Sequence, residues 1–293
     1  MNSATSVFKF LVSAFALLAV ALHAEPIAAG KGRIEIDVGE TLEVFTYKPA
    51  NYAGGPLLLV FHGVGRNADE YRDFAETLGD RFGFLVVAPK FDKERFPLER
   101  YQRGGIVQDG RAQPRDAWTY AMVPRLVAAV REREGKPELP FWIIGHSAGG
   151  QFVVRMVALA GTLGASGVVA ANPGSHLFPP RDAPFGYGFG NLPAELSDDA
   201  ALRRYVEAPL VLYLGTADND PAHRSLDREP EAVRQGASRY ERGLNCFAAA
   251  EALARERGWS FGWRKVEVAG IEHDAAKMFA APEVERALLG AKK

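Results

Sequence analysis

The stretch that most constrains this chain is Phe141–Gly150, which reads F-W-I-I-G-H-S-A-G-G. Phe141, Trp142, Ile143 and Ile144 make a short buried strand, and Gly145-His146-Ser147-Ala148-Gly149 then fits G-x-S-x-G. In that pattern a serine is swung out on a tight turn between a strand and a helix. The turn holds the serine in a strained backbone conformation where strand and helix nearly touch, so the flanking positions have no room for a Cβ. Gly145 and Gly149 meet that demand. Gln151–Leu159 is apolar enough to be the helix behind the turn. Its N-terminus faces Ser147, which places the amide of Ala148 to stabilise an oxyanion developing beside the serine.

G-x-S-x-G by itself is a weak signal, and its weight comes from context. A strand precedes it, a helix follows, and an acid and a histidine come later in the order Ser, Asp, His. The apolar strand Leu210–Leu214 runs into Gly215-Thr216-Ala217-Asp218-Asn219-Asp220. A carboxylate just past that strand can accept the Nδ1–H of a histidine, fix its tautomer and stabilise the imidazolium that forms when the serine proton is taken. Asp218, nearest the strand end, is preferred to Asp220 on placement; the alternative is that both only shape the turn. The last strand is expected over Trp263–Val268, followed by Gly270-Ile271-Glu272-His273-Asp274. Of the six histidines, His23 falls in an N-terminal leader and His62, His146, His176 and His223 sit elsewhere, leaving His273 as the base.

A second oxyanion donor is expected from the loop after another central strand. Leu57–Phe61 is continuously apolar, as a parallel strand covered on both faces requires. His62-Gly63-Val64-Gly65-Arg66-Asn67 follows, and its glycines let backbone N–H groups approach a substrate oxygen. Val64 is the first choice of donor and Gly65 the second, with His62 a hydrogen-bonded scaffold residue. His223 has Asp218, Asp220 and Asp227 near it in sequence, which raises a metal site, but no helix or strand spacing brings the four together. No metal or organic cofactor is implied.

The rest of the chain supports one α/β domain over residues 25–293. The 47% hydrophobic content of 293 residues suffices for one large core. Alternation in residues 33–47 suggests an antiparallel start turning at Gly39-Glu40. Tyr71, Phe74, Ala75, Leu78 and Phe82 predict one helix ended by Gly83, and Phe84–Ala88 the next strand. Phe91–Pro114 is a charged loop, either a surface excursion or part of the site mouth. The spacing of Trp118, Met122, Leu126, Ala129 and Val130 predicts a helix over Trp118–Arg133, with Pro124 forcing a kink or a later start. Gly167–Ala171 is a strand. Residues 172–208, where Pro and Gly interleave with Phe178, Phe185, Tyr187 and Phe189, read as an ordered lid or substrate wall. Ser225–Arg242 reads as a charged excursion, Leu244–Arg257 and Pro282–Leu289 as helices, and Cys246, the single cysteine, as packed against the sheet.

Residues 1–24 form a different kind of sequence. Lys9 precedes the apolar run Phe10–Leu22, and Ala24 ends a small-residue cleavage pattern before Glu25-Pro26. The run falls short of the roughly 20 residues that span a bilayer, so a cleaved signal peptide is expected, with export to the periplasm or beyond and no stable membrane span afterwards. A lone cysteine gives the exported chain no internal disulfide. With 35 basic against 36 acidic residues and no basic run, nucleic acid is excluded as an expected partner.

On His62-Gly63-Val64-Gly65, Gly145–Gly150, Gly215–Asp218 and His273, the chain resembles the α/β-hydrolase superfamily, over about Leu42–Leu289. It looks most like exported esterases related to polyhydroxybutyrate depolymerases and feruloyl esterases. The resemblance implies an α/β-hydrolase fold, a mostly parallel sheet with helices on both faces and an excursion before the acid-bearing strand. It also implies serine ester hydrolysis by Ser147, Asp218 and His273, with Val64 and Ala148 as oxyanion donors. Secreted members often carry disulfides and a polymer-binding domain, and this chain has one cysteine and no second domain, so a soluble or oligomeric ester is the expected substrate. A peptidase or lipase on the same fold, or a hydrolase-fold protein that only binds its ligand, are the alternatives.

Overall fold

The computed structural model describes residues 25–179 and 181–290; the expected leader 1–24 lies outside them. Eight strands form one mixed sheet: β1 (Gly30–Asp37), β2 (Thr41–Lys48), β3 (Leu57–Phe61), β4 (Leu85–Pro89), β5 (Phe141–His146), β6 (Gly167–Ala171), β7 (Leu210–Gly215) and β8 (Arg264–Val268). Their spatial order is β1-β2-β4-β3-β5-β6-β7-β8. β1 and β2 pair antiparallel as a hairpin, β2 pairs antiparallel with β4, and every later pairing is parallel.

Side chains alternate across a strand, so apolar residues at every position are required where both faces are covered. β3, β4 and β7 are buried throughout. Leu57, Leu59, Phe61, Ile143, Val168 and Leu212 face one core, closed by α3 (Met122–Arg133), α4 (Ala148–Ala160), α6 (Asp199–Glu207) and α8 (Arg239–Arg257). Leu58, Val60, Ile144, Val169, Val211 and Tyr213 face the other, closed by α1 (Ala68–Phe74), α2 (Glu76–Phe82), α9 (Ala275–Ala280) and α10 (Val284–Leu289). All parallel strands present their C-terminal ends at one edge, where ligands bind in open α/β sheets.

Several elements differ from expectation for local reasons. The single helix over Tyr71–Phe82 is two, α1 and α2, divided at Ala75 (φ −87°, ψ −2°), whose N–H is shared between the carbonyls of Tyr71 and Arg72. A short 3₁₀ turn over Thr119–Ala121 precedes α3, so Pro124 falls in the helix's first turn, where its missing N–H breaks no intrahelical bond. Phe91–Pro114 is packed: Phe91, Phe96, Tyr101 and Ile106 are buried and a small hairpin pairs Val107–Gln108 with Arg111–Ala112.

Ser225–Arg242 is no mere charged excursion. It holds α7 (Pro230–Gln235) and the start of α8, which is capped by Ser238 Oγ accepting Glu241 N–H at 3.2 Å. Its pattern was hidden because Arg239 and Arg242 point inward and are 1% exposed. α9 also escaped the sequence reading.

Residues 172–208 include α5 (Ala194–Ser197) and α6, and the loop before them is tied down. Arg155 on α4 donates to the Gly186 carbonyl and to Ser175 Oγ, and Gln235 Nε2 donates to the carbonyls of His176 and Tyr187. Cys246 is buried against Leu177, and burial pushes its thiol pKa up.

Candidate active site

Ser147 sits between β5 and α4 with φ 58° and ψ −115°, a backbone state costly for a side-chain-bearing residue. The turn is tight because β3, β5 and α4 crowd together. A Cβ on Gly145 would strike the Gly149 carbonyl, and one on Gly149 would strike the carbonyls of Phe61 and His62, both backbone atoms that cannot move aside. The strain lifts the serine hydroxyl out over the sheet edge.

The expected partners converge on it. Ser147 Oγ lies 2.9 Å from His273 Nε2, and His273 Nδ1 lies 2.7 Å from Asp218 Oδ2. Ser147, Asp218 and His273 are separated by tens of residues in sequence and are delivered by the ends of β5, β7 and β8. Asp220 turns away and accepts the Ala222 N–H at 2.8 Å. The acid and histidine loops are zipped together: Thr216 N–H donates to Val268 and Ala217 N–H to Ile271. Asn172, buried beside them, accepts the Gly215 N–H at 2.9 Å and donates to the Glu272 carbonyl at 3.3 Å.

The loop after β3 is fixed from beneath. His62 is fully buried, its Nδ1 lies 3.0 Å from the Gly63 carbonyl, and its Nε2 accepts the Phe91 N–H at 3.0 Å. A carbonyl only accepts, so the proton is on Nδ1; burial pushes the ring's pKa down to about 3 and keeps it neutral. Arg66, at φ 62°, donates to the carbonyls of Phe91 and Phe96 and stacks over Tyr101, 4.4 Å from the ring centroid. Val64 is thereby left 46% exposed at the groove beside Ser147. The Ala148 amide, at the first position of α4, lacks an intrahelical acceptor and shares the dipole's positive end.

Four further residues join the site that sequence reading left out of it. The His146 ring packs tilted against His273 with centroids 4.7 Å apart, and its Nδ1 lies 3.0 Å from the Tyr71 hydroxyl. Burial, then the neighbouring His273 and Arg239, hold its pKa well below the usual histidine range. Arg239 donates to Asp218 Oδ1 at 3.3 Å, in a pair 1% and 4% exposed. The same guanidinium reaches His223 Nδ1 at 3.2 Å, and the His223 ring meets His273 edge-on at 5.3 Å. Nothing in the sequence marks Arg239 as buried. His223, close to Asp218 in sequence, is weighed there only as a metal ligand.

The metal reading of His223, Asp218, Asp220 and Asp227 has no convergent geometry: Asp227 accepts from the Tyr187 hydroxyl, and among the described residues no group of three or more such ligands gathers.

Two grooves meet at the serine. One, of about 560 Å³, holds Tyr71, Phe74, His223, His273 and Ala276; the other, of about 790 Å³, holds Leu98, Gln102, Gln151, Tyr187 and Leu226. Ser147, Val64, Arg224 and Ser225 line both. Phe91–Pro114 therefore contributes to the site mouth through Leu98–Arg103, and the 172–208 stretch reaches the groove through Tyr187.

No protein-family model and no curated protein sequence matches the chain. Solved structures do. A poly(aspartic acid) hydrolase from Sphingomonas sp. KT-1 is 34% identical with a TM-score of 0.82, over 88% of this chain and 98% of its own. A poly(3-hydroxybutyrate) depolymerase from Bordetella parapertussis is 34% identical with a TM-score of 0.81, over 88% and 90%. A siderophore hydrolase from Aspergillus nidulans, 13% identical with a TM-score of 0.53 over 94% and 99%, shares the fold alone. Identity at that level, sustained over 88% of this chain and 90% or more of the first two, makes this chain a member of their family, the α/β-hydrolases of the esterase type.

Proposed function

We propose that the chain is an exported serine hydrolase that cleaves carboxylic esters, small or oligomeric, through an acyl-enzyme. The observation that carries the reading is the hydrogen-bonded line from Ser147 Oγ through His273 to Asp218. Ser147 Oγ attacks the ester carbonyl carbon while its proton passes to His273 Nε2. Asp218 holds Nδ1–H and stabilises the imidazolium. The amides of Ala148 and Val64 receive the oxyanion. As the tetrahedral intermediate collapses, the alkoxide takes the proton from His273 and leaves. Water, deprotonated by His273, then releases the acid and restores Ser147.

The likeness to a poly(aspartic acid) hydrolase supports a second reading on the same residues, cleavage of an amide, where the leaving group is an amine protonated by His273. Export rests on residues 1–24 of the sequence. Among the described residues no helix is long and apolar enough to cross a membrane.

Initial rates on p-nitrophenyl esters of increasing acyl length, a 3-hydroxybutyrate oligomer and poly(aspartic acid), for wild type and Ser147→Ala, test the reading. Ester turnover that falls by about 10⁴-fold or more in the variant is expected. A folded Ser147→Ala protein with near wild-type rates overturns it, and turnover of the polyamide alone selects the second reading.

A further inference from the structure

We propose that His223 is a substrate-binding residue that presents a fixed Nε2–H donor to an oxygen on the leaving-group part of the substrate; the inference rests on the serine-hydrolase reading. Nδ1 of His223 lies 3.2 Å from Arg239 Nη2 and 3.3 Å from the Ser225 N–H. A guanidinium and an amide only donate, so Nδ1 accepts and the neutral ring carries its proton on Nε2. The clamp is rigid: Arg239 is 1% exposed, its Nη1 is held by Asp218 Oδ1 and its Nη2 also donates to Ser225 Oγ at 3.0 Å. Nε2 has no hydrogen-bond partner among the described residues, and the ring lines the 560 Å³ groove with Ser147 and His273.

That groove is the leaving-group side. The departing oxygen takes its proton from His273, so the alcohol must lie on the face where His273 is exposed, and the 790 Å³ groove, which His273 does not line, takes the acyl chain. His223 stands edge-on to His273, with ring centroids 5.3 Å apart. An alcohol with a carbonyl or hydroxyl oxygen a few bonds from the scissile oxygen reaches Nε2–H, whereas a purely aliphatic alcohol leaves that donor without a partner. Burial, with Arg239 and His273 beside it, lowers the ring's pKa against the opposing pull of Asp218 and Asp220, which keeps the ring neutral at neutral pH. Asp274 and Arg224 complete the charged lining of the groove. The site therefore selects esters whose alcohol half is itself oxygenated.

The test compares two butanoate esters of nearly equal shape, that of 4-hydroxybutan-2-one and that of 3-methylbutan-1-ol, on wild type, His223→Phe and Ser147→Ala. The preference of wild type for the keto ester, as a ratio of kcat/KM values, is expected to fall by about 3- to 10-fold in His223→Phe, the loss of one neutral hydrogen bond, and to appear in KM. An unchanged ratio overturns the proposal, and so does an equal loss on both esters. Ser147→Ala turning over both esters would instead sink the serine reading. Nitrogen-15 NMR of the wild-type ring gives a second measure that needs no variant at His223: a neutral ring protonated on Nε2 is expected, and a proton on Nδ1 overturns the assignment.

Discussion

Arg239 reaches Asp218 with one nitrogen and His223 with the other, so a single buried guanidinium orients both flanks of His273. Replacing it with Met leaves a buried carboxylate short of one partner, which costs about 3–5 kcal/mol in stability, measurable by urea unfolding. The same replacement takes the shared donor from both the Asp218 carboxylate and His223 Nδ1, so kcat/KM on esters is expected to fall, and an unchanged kcat/KM would show Arg239 to be scaffold alone. At this scale the sequence was informative where chemistry needs a rare local pattern. Ser147 was legible because its neighbours must be glycine, and His273 because it follows the last strand. Arg239 and His223 were not, since an arginine in a charged segment looks solvated until packing turns it inward.

Elements carry the next set of consequences. α8 starts at Arg239, and the Tyr240 N–H in its first turn donates to the Asp218 carbonyl, so the helix start positions the acid loop. Ser238→Ala removes the cap and is expected to cost about 1 kcal/mol of stability, with a matching decrease in activity as Arg239 and the acid loop loosen together. Parallel melts and initial rates check it; lowered stability with unchanged rates would uncouple the cap from the site. Gly149→Ala drives a methyl into the backbone of Phe61 and His62, where β3 ends. It is expected to destabilise by about 1–3 kcal/mol and to abolish ester turnover, because the elbow and the loop bearing Val64 move apart. The strands and most of the helices were legible from period and punctuation. α1 and α2 were read as one helix because the break at Ala75 leaves no mark in an otherwise regular apolar stripe.

For the molecule as a whole, buried neutral histidines set the acid side of stability. Burial lowers the pKa of His62 and of His176 to about 3 from an ordinary 6.5. Above 6.5 neither state takes up the proton and stability is unaffected. Between 6.5 and about 3 the unfolded chain binds protons that the folded chain refuses, so stability falls with falling pH, by up to about 1.4 kcal/mol per pH unit for each histidine. Urea midpoints measured from pH 7 down to 4.5 are expected to drop steadily below 6.5. Replacing His176, whose two ring nitrogens have no hydrogen-bond partner among the described residues, with Leu is expected to flatten that slope.

The order of the strands and of most helices, the glycine-flanked turn that strains Ser147, and the choice of Asp218 and His273 as its expected partners follow from the sequence alone. Each depends on local sterics or on hydrophobic period, which act between near neighbours in the chain. The tertiary structure decided which charged residues lie inside, how the loops after β3, β7 and β8 lock together, and that two grooves converge on Ser147. Those depend on contacts between residues distant along the chain. Their strength comes from the low dielectric and close packing that exist only once the sheet has assembled.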